Sequence, residues 1–236
     1  MIKFNQYNST EELFNETAEM CRVELERALT AGHTALVVSG GTTPQPLFER
    51  LSEMPLNWSD VTILPSDERW LDPSHTASNE RLIREHLVRG QASQARVQGF
   101  KLEADSPFDA EEELNEQLSQ SLNEYAVAVV GLGLDGHFAS LFPGTPQLAD
   151  AMRFEQELFC SAIDATGCPV AGDYTQRMTL TLSAILKANR VILLFKGDDK
   201  IELIKKVLDD DPSVRELPVY QLLNQTQTDV DICCAS

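Results

Sequence analysis

The residue pair best suited to chemistry is a histidine that follows an aspartate by two positions. His137 and Asp135 lie in residues 131–144, a segment that contains four glycines and follows an apolar run ending at Val130. Histidine titrates near neutral pH and serves as a general base, and a nearby carboxylate can orient the ring or stabilise its charged form. A histidine at a strand end is often only a structural hydrogen-bonding residue, but the clustered glycines disfavour that interpretation. The pattern therefore predicts proton transfer at His137.

A second segment has the composition of an anion-binding turn. It follows a predicted strand at 35–38, leads into a predicted helix after Pro46, and consists of Ser39, Gly40, Gly41, Thr42 and Thr43. Glycines let the backbone approach an anion, hydroxyl groups donate hydrogen bonds, and a helix N-terminus presents free N–H groups. The segment matches neither a P-loop nor a dinucleotide fingerprint. It predicts a phosphate site, although a plain strand-to-helix turn has the same composition.

Charged side chains lie at the ends of three further predicted strands. Asp67, Glu68 and Arg69 follow one strand, Arg177 precedes another, and Lys200 follows a third. An arginine can bind a phosphate through two parallel hydrogen bonds, and a lysine acts as a point charge. We expect these cations to attract an anionic ligand, with exposed surface ion pairs as the alternative.

The elements that must position these residues alternate along the chain. Short apolar runs alternate with longer helical patterns, which indicates β-α-β units. Predicted strands cover residues 35–38, 61–64, 126–130, 159–163, 178–182, 191–195 and 230–233. Predicted helices cover 11–29 with Ser9 and Glu12 as a capping box, a stretch after Pro46, 79–88 with Ser78 or Asn79 as N-cap, and 107–122. The chain is therefore predicted as an α/β protein with a mostly parallel sheet, in which ligands bind beyond the carboxyl ends of the strands.

The composition restricts the classes of function. With 236 residues and ordinary globular usage, the chain is predicted to form one domain over residues 1–236. A formal net charge of −18 disfavours nucleic acid and anionic lipid as partners, and no apolar run reaches the ~20 residues of a membrane span. Five cysteines without metal-ligand spacing, and an N-terminus without signal-peptide features, predict a cytoplasmic protein with reduced thiols and no metal. A monomer and a small homo-oligomer are both compatible with these features.

Segments spread along the chain together resemble a known family. They are Ser39-Gly40-Gly41-Thr42-Thr43-Pro44, Asp67-Glu68-Arg69 with Ser78-Asn79, GLGLDGHFASLFPG, Arg177-Met178-Thr179 and Gly197-Asp198-Asp199-Lys200. In this order they are similar to the 6-phosphogluconolactonase family, within the glucosamine-6-phosphate isomerase/deaminase-like superfamily. The resemblance implies a three-layer αβα, Rossmann-like fold without metal or cofactor. It also implies hydrolysis of a sugar-phosphate lactone, 6-phospho-D-glucono-1,5-lactone, to 6-phospho-D-gluconate in the oxidative pentose phosphate pathway.

Two differences separate the sequence from the related deaminases. Those enzymes carry Asn-Glu-Pro shortly after their Asp-Gly-His and a tyrosine after their Asp-Glu. Here the corresponding positions hold Ser140-Leu141-Phe142-Pro143 and Arg69, which favours the lactonase. Two positions also depart from the lactonase pattern, because Phe138 stands where threonine is usual and Trp70-Leu71 where a Val-Pro pair is common. These departures concern substrate contacts and leave the class unchanged.

The resemblance and the residues together suggest one catalytic sequence. His137 deprotonates a water molecule that attacks the C1 carbonyl, and it then returns the proton to the ring oxygen as the lactone opens. Asp135 orients the imidazole. Arg69 either binds the phosphate or polarises the carbonyl, and the sequence leaves both roles open.

The substrate's phosphate is expected far from C1. The glycine and hydroxyl segment at residues 39–43 would bind it, with Arg177 and Lys200 as additional cations. Asp67 is assigned to the same substrate site.

Two other functions remain as alternatives. An aldose–ketose isomerase or deaminase for amino-sugar phosphates would use Asp67 or Glu68 as its base. A module that senses sugar phosphates without turnover is a second alternative, which the lack of a basic helix-turn-helix segment disfavours.

Overall fold

A seven-stranded parallel sheet forms the centre of the protein. The computed structural model describes residues 1–121 and 125–236. The strands are β1 (Ile2–Tyr7), β2 (Thr34–Val38), β3 (Val61–Pro65), β4 (Asp67–Arg69), β5 (Arg96–Val97), β6 (Val127–Val130), β7 (Cys160–Asp164), β8 (Gln176–Leu180), β9 (Arg190–Lys196) and β10 (Asp229–Ala235). The large sheet has the order β1-β10-β9-β6-β2-β3-β5, and each neighbouring pair is parallel. The predicted α/β class with a mostly parallel sheet is confirmed.

Helices cover both faces of this sheet. They are α1 (Thr10–Leu29), α2 (Gln45–Ser52), α3 (Asn79–His86), α4 (Pro107–Ser121), α5 (Leu148–Ala151), α6 (Leu182–Ile185), α7 (Asp198–Leu208) and α8 (Pro218–Leu223). Alternate residues of β2 enter different apolar clusters. Leu36 and Val38 share one cluster with residues of α1, α2 and α3, whereas Ala35 and Val37 share the other with residues of α4, α7 and α8. This arrangement has the three layers that the resemblance implied.

Ser9 and Ser78, both predicted as helix caps, are N-caps in the structure. Ser9 Oγ accepts a hydrogen bond from the N–H of Glu12 at 3.1 Å, as the predicted capping box requires. The Glu12 carboxylate accepts from the N–H of Asn8 at 2.9 Å instead of reaching Ser9. Ser78 Oγ accepts from the N–H of Arg81 at 3.2 Å and is the N-cap of α3. These bonds satisfy amide groups that would otherwise lack a partner in the first helical turn.

A second, antiparallel sheet has the strand order β4-β8-β7. Strands were predicted at residues 159–163 and 178–182, and β7 and β8 lie there, but they belong to this second sheet and not to the parallel one. The second of these strands is also displaced, because Thr181 Oγ1 accepts the N–H of Ala184 at 3.1 Å and starts α6. Arg177 consequently lies inside β8 and not before it. An apolar run indicates that a strand is buried, but it does not indicate with which other strand it pairs.

β1, β4 and α7 are among the elements that were not predicted. β1 extends the sheet beside β10, but its residues are only partly buried or exposed and form no continuous apolar run. β4 has three residues, all of them charged. α7 begins after Gly197, whose φ of 105° favours glycine, and its buried residues Ile201, Ile204 and Val207 recur every third position.

Two further observations concern the helices. The predicted end of the fourth helix, Leu122, lies outside the described residues. Among residues 1–121 and 125–236, no helix combines the length and the apolar content that a membrane span requires.

Candidate active site

One pocket at the carboxyl ends of the central strands collects the segments selected from the sequence. β2, β6 and β9 lead into it, and β4 and β8 of the small sheet form a further wall. Its lining includes ten of the predicted site residues: Ser39, Gly40, Gly41, Thr42, Thr43, Asp67, Arg69, His137, Arg177 and Lys200. Asp135 is not part of the lining and reaches the pocket through His137.

The loop after β6 holds His137 and Asp135 together. His137 Nδ1 and Asp135 Oδ1 are 2.5 Å apart, and Asp135 Oδ1 also accepts the His137 N–H at 3.4 Å. Burial raises the pKa of the Asp135 carboxyl, but the hydrogen bond and charge of His137 outweigh it, so its pKa lies below the ordinary value. Because the bond uses Nδ1, His137 Nε2 is left for a reacting group.

Glycine at position 133 is required by this geometry. The N–H of Gly133 donates to His137 O at 2.8 Å and its carbonyl accepts from the N–H of Gly136 at 3.0 Å, which closes the turn. A Cβ atom at position 133 would lie 2.1 Å from His137 Nδ1 and 2.6 Å from Asp135 Oδ1. The Asp135–His137 pair therefore fits only against a residue without a side chain.

The segment after β2 also lines the pocket. Gly41 has a φ of 89°, and a Cβ at Gly40 would lie 1.9 Å from Asn79 Oδ1. Pro44 is the N-cap of α2 and offers no side-chain acceptor to the amide groups of the first turn. These groups and the hydroxyl side chains of the segment can therefore donate to an anion in the pocket.

Arg69 and Arg177 are neighbours across the small sheet. They face each other in the antiparallel register of β4 and β8. Arg69 Nη1 donates to Ala77 O at 2.6 Å, and Arg177 donates to Tyr174 O at 2.6 Å and Ala171 O at 2.7 Å. Burial lowers the pKa of Arg177; the charge of Asp67 opposes this shift, and the charge of Arg69 adds to it.

The two acidic residues of β4 occupy different environments. Asp67 lies in the pocket, where its carboxylate accepts from Ser140 Oγ at 2.6 Å and Ser66 Oγ at 3.0 Å and lies 3.7 Å from Arg177 Nη1. Glu68 turns away from the pocket and binds the N-terminus of α3. It accepts the N–H groups of Arg69, Asn79 and Glu80 and the hydroxyl of Ser78.

Burial dominates the titration of Glu68. It raises the pKa of the carboxyl, although the four hydrogen bonds oppose this shift. The Glu68 carboxylate therefore binds the N-terminus of α3, where N–H groups and the helix dipole stabilise a negative charge.

Lys200 adds a third cation to the lining. It lies in the first turn of α7, directly after β9. Burial lowers the pKa of its ammonium group, and the charge of Asp135 opposes the shift. An anion in the pocket therefore meets a partly desolvated positive charge.

Several lining residues were not assigned to the site from the sequence. Asn79 was read as a helix start, yet its side chain also donates to Asp67 O at 2.7 Å. The ring of Phe142 lies 4.6 Å from the imidazole of His137, and Arg177 lies 5.7 Å from the same ring. Ala139 has a φ of 49°, which is uncommon for a residue with a side chain. Both Asn79 and Phe142 belong to the motifs that carry the resemblance, which was the available signal.

Metal ligands do not cluster in the part of the chain that the structure describes. There, no group of three or more histidine, cysteine or acidic side chains has the arrangement to hold a metal ion. The bonds of the site join a carboxylate to an imidazole and guanidinium groups to backbone carbonyls.

Comparison with known proteins places the chain in a family. A family model described as glucosamine-6-phosphate isomerases/6-phosphogluconolactonase matches residues 8–231. The chain belongs to this family. The resemblance drawn from the motifs is therefore confirmed.

Several proteins named 6-phosphogluconolactonase are similar to this chain over most of its length. A 6-phosphogluconolactonase of Pseudomonas aeruginosa is 37% identical over 197 residues, covering 84% of this chain and 80% of that protein. A 6-phosphogluconolactonase of Caulobacter vibrioides is 32% identical over 235 residues, covering 99% of this chain and 97% of that protein. The crystal structure of a 6-phosphogluconolactonase from Shewanella baltica superposes with a TM-score of 0.91 at 34% identity, covering 100% of this chain and 98% of that one.

Proposed function

We propose that this protein hydrolyses 6-phospho-D-glucono-1,5-lactone to 6-phospho-D-gluconate, the lactonase step of the oxidative pentose phosphate pathway. The observation that carries the proposal is the Asp135–His137 pair, 2.5 Å between Oδ1 and Nδ1, at a pocket lined by three cations. Membership of the family and the names of its relatives support the same reaction.

His137 is the general base in this proposal. Its Nε2 removes a proton from water, and the oxygen of that water forms a bond to C1 of the lactone. The tetrahedral intermediate then breaks the bond between C1 and the ring oxygen, and the imidazolium returns its proton to that oxygen. Asp135 keeps the proton on Nδ1 in the resting state and stabilises the imidazolium that forms.

The phosphate end of the substrate binds away from the base. The amide and hydroxyl groups of residues 39–43 surround the phosphate, and Arg177 and Lys200 compensate its charge. This compensation matters because the protein carries a formal charge of −18. Asp67 completes the substrate site as an acceptor for sugar hydroxyl groups.

Two roles remain open for Arg69, and kinetics distinguish them. If Arg69 binds the phosphate, Arg69→Met raises KM and leaves kcat near the wild-type value, because the phosphate is bound equally in ground and transition states. If Arg69 polarises the C1 carbonyl, the same variant lowers kcat, because charge on that oxygen develops only in the transition state.

The isomerase or deaminase alternative fits the geometry less well. Glu68 is engaged by four donors at the start of α3 and is not part of the pocket lining. Asp67 does line the pocket, but its carboxylate already accepts hydrogen bonds from two serine hydroxyl groups and lies 3.7 Å from Arg177 Nη1. We expect no ketose or ammonia from glucosamine 6-phosphate, which a product assay measures directly.

The decisive experiment measures 6-phosphogluconate formation from freshly generated lactone against the spontaneous rate. His137→Ala is expected to lower kcat by about 10²-fold or more, the usual contribution of a general base. His33→Ala is the matched control, because that histidine binds Thr62 outside the active-site pocket. A wild-type protein that does not exceed the spontaneous rate, or a His137→Ala variant of normal kcat, contradicts the proposal. A parallel assay with a metal chelator tests for metal-independent turnover.

A further inference from the structure

A loop before α3 holds one of the pocket arginines by its backbone. In this loop, residues 70–78, Ala77 O accepts the hydrogen bond from Arg69 Nη1 at 2.6 Å. The N–H of Ala77 in turn donates to His75 Nδ1 at 3.1 Å. The orientation of the Arg69 guanidinium therefore depends on where His75 holds the backbone of this loop.

A second loop, residues 165–175, holds the other arginine in the same way. It joins β7 to β8, and its residues 172–174 are exposed. Arg177 Nε donates to Tyr174 O at 2.6 Å, and Arg177 Nη2 donates to Ala171 O at 2.7 Å. Tyr174 thus contributes a main-chain acceptor to a guanidinium that lines the pocket.

The side chains of His75 and Tyr174 connect the two loops. Their ring centroids are 5.4 Å apart and the ring planes meet at 75°, an edge-to-face contact. This geometry is one of the two favoured arrangements of aromatic pairs. Neither residue lines the pocket.

The two arginines need such restraint because they repel each other. They are register partners in β4 and β8, and, after burial, the charge of Arg69 is a further cause that lowers the pKa of Arg177. The Asp67 carboxylate, 3.7 Å from Arg177 Nη1, offsets part of this repulsion, and the remainder favours separation of the two guanidinium groups. The carbonyl groups of the two loops oppose this separation only while the loops keep their places.

We propose that the edge-to-face contact between His75 and Tyr174 is a clasp that positions Arg69 and Arg177 for the anionic substrate. The clasp holds loops 70–78 and 165–175 together, and their carbonyl groups hold the guanidinium groups. His75 and Tyr174 are accordingly positioning residues. The effect on substrate binding rests on the lactonase activity proposed above, whereas the effect on Arg177 does not.

The test compares Tyr174→Ala, which removes the ring, with Tyr174→Phe, which keeps it. The first readout is solvent exchange of the Arg177 Nε–H in the ligand-free, 15N-labelled protein by NMR. Aromatic pairs of this geometry contribute a factor of about 2 to 12, so exchange is expected to be faster by that factor in Tyr174→Ala and unchanged in Tyr174→Phe. In the double variant His75→Ala/Tyr174→Ala, the Arg177 Nε–H is expected to exchange no faster than in Tyr174→Ala, since His75 reaches the 165–175 loop through the ring of Tyr174 and its separate bond to the Ala77 N–H acts on Arg69.

The second readout is kinetic. KM for the lactone is expected to rise by the same factor of about 2 to 12 in Tyr174→Ala, with kcat within about twofold of wild type, because Arg177 binds an anion that does not change during the reaction. Tyr174→Phe is expected to restore KM, which a general loss of stability would not explain.

Equal exchange in Tyr174→Ala and wild type overturns the clasp, whether or not the protein is a lactonase. Faster exchange with unchanged KM overturns its role in substrate binding. If the wild-type protein does not accelerate lactone hydrolysis, the proposed function fails, and the exchange measurement alone decides whether the clasp exists.

Discussion

Gly133→Ala is expected to inactivate the protein without touching a catalytic side chain. A Cβ at this position would lie 2.1 Å from His137 Nδ1, 2.2 Å from His137 Cε1 and 2.6 Å from Asp135 Oδ1. Non-bonded atoms normally approach to about 3.5 Å, so the imidazole or the carboxylate has to move by about 1 Å or more. The backbone itself accepts alanine, because φ at Gly133 is not positive.

The expected loss in kcat is about 10²-fold or more. A displacement of about 1 Å at a reacting group costs on that order. Loss of the hydrogen bond between His137 and the ionised Asp135 removes a further ~1.5–3 kcal/mol of stabilisation of the imidazolium, which alone is a factor of about 10 to 150. The fold should tolerate the change, because the His137 side chain is partly exposed and can turn aside. A shift in Tm below about 4 °C is expected for a chain of this length.

Gly131→Ala is the matched control from the same loop. A Cβ there has Ser39 Oγ as its nearest neighbour at 3.7 Å, an ordinary contact, and φ is again not positive. Because Gly131 also borders the pocket, the comparison uses kcat and not KM. We expect kcat of Gly131→Ala to stay within about threefold of wild type. Lactone hydrolysis and thermal melting are measured for both variants. A normal kcat in Gly133→Ala, or a kcat of Gly131→Ala that falls as far as that of Gly133→Ala, would refute the reasoning.

Three further changes test the site and its support. Asp135→Asn should lower the free energy of unfolding at pH 7 by about 1 kcal/mol, since His137 holds the pKa of Asp135 below the ordinary 3.8. A depressed pKa stabilises the fold only above the unfolded value, so in urea titrations this difference should shrink below pH 3.8 and disappear below the folded-state pKa. Phe142→Leu removes the ring 4.6 Å from the imidazole, and kcat should fall about 2- to 12-fold; an unchanged kcat would show that the ring does not orient His137. Glu68→Ala leaves four donors without their acceptor and should cost about 3 kcal/mol or more, whereas Arg22→Ala, which breaks solvent-screened ion pairs on α1, should cost far less. Similar melting temperatures for these two variants would contradict the role given to Glu68.

Much of the fold was predictable because burial on both faces leaves a clear pattern. β2, β3 and β6 are continuously buried; β2 and β6 were recognised from unbroken apolar runs, and β3 from a run that only Thr62 interrupts. The half-exposed β1 and the charged β4 carry no such pattern, because an edge strand and a three-residue strand need little apolar surface. The small antiparallel sheet escaped prediction for another reason. Its strands β7 and β8 overlap apolar runs that were recognised as strands, but the partners of a strand are set by long-range contacts.

The sequence predicted which residues form the candidate site, but it did not predict the role of each one. Polar residues that follow apolar strands must gather at one edge of a parallel sheet, and ten of the eleven selected residues line one pocket. Asp67 and Glu68 are adjacent and chemically alike, yet one lies in the pocket and the other caps α3. Side chains alternate along a strand, so only the orientation of β4 separates them.

The sequence by itself determined the contacts between residues that are close along the chain, because strand ends, glycine turns and local spacing are properties of short segments. The Asp135–His137 pair is of this kind, since two residues and a glycine turn define it. The tertiary structure alone decided the contacts between residues distant along the chain. Arg69 faces Arg177, and His75 meets Tyr174. Such contacts depend on the pairing of β4 with β8 and on the positions of the two loops. The packing of the whole protein sets both, and no single segment does.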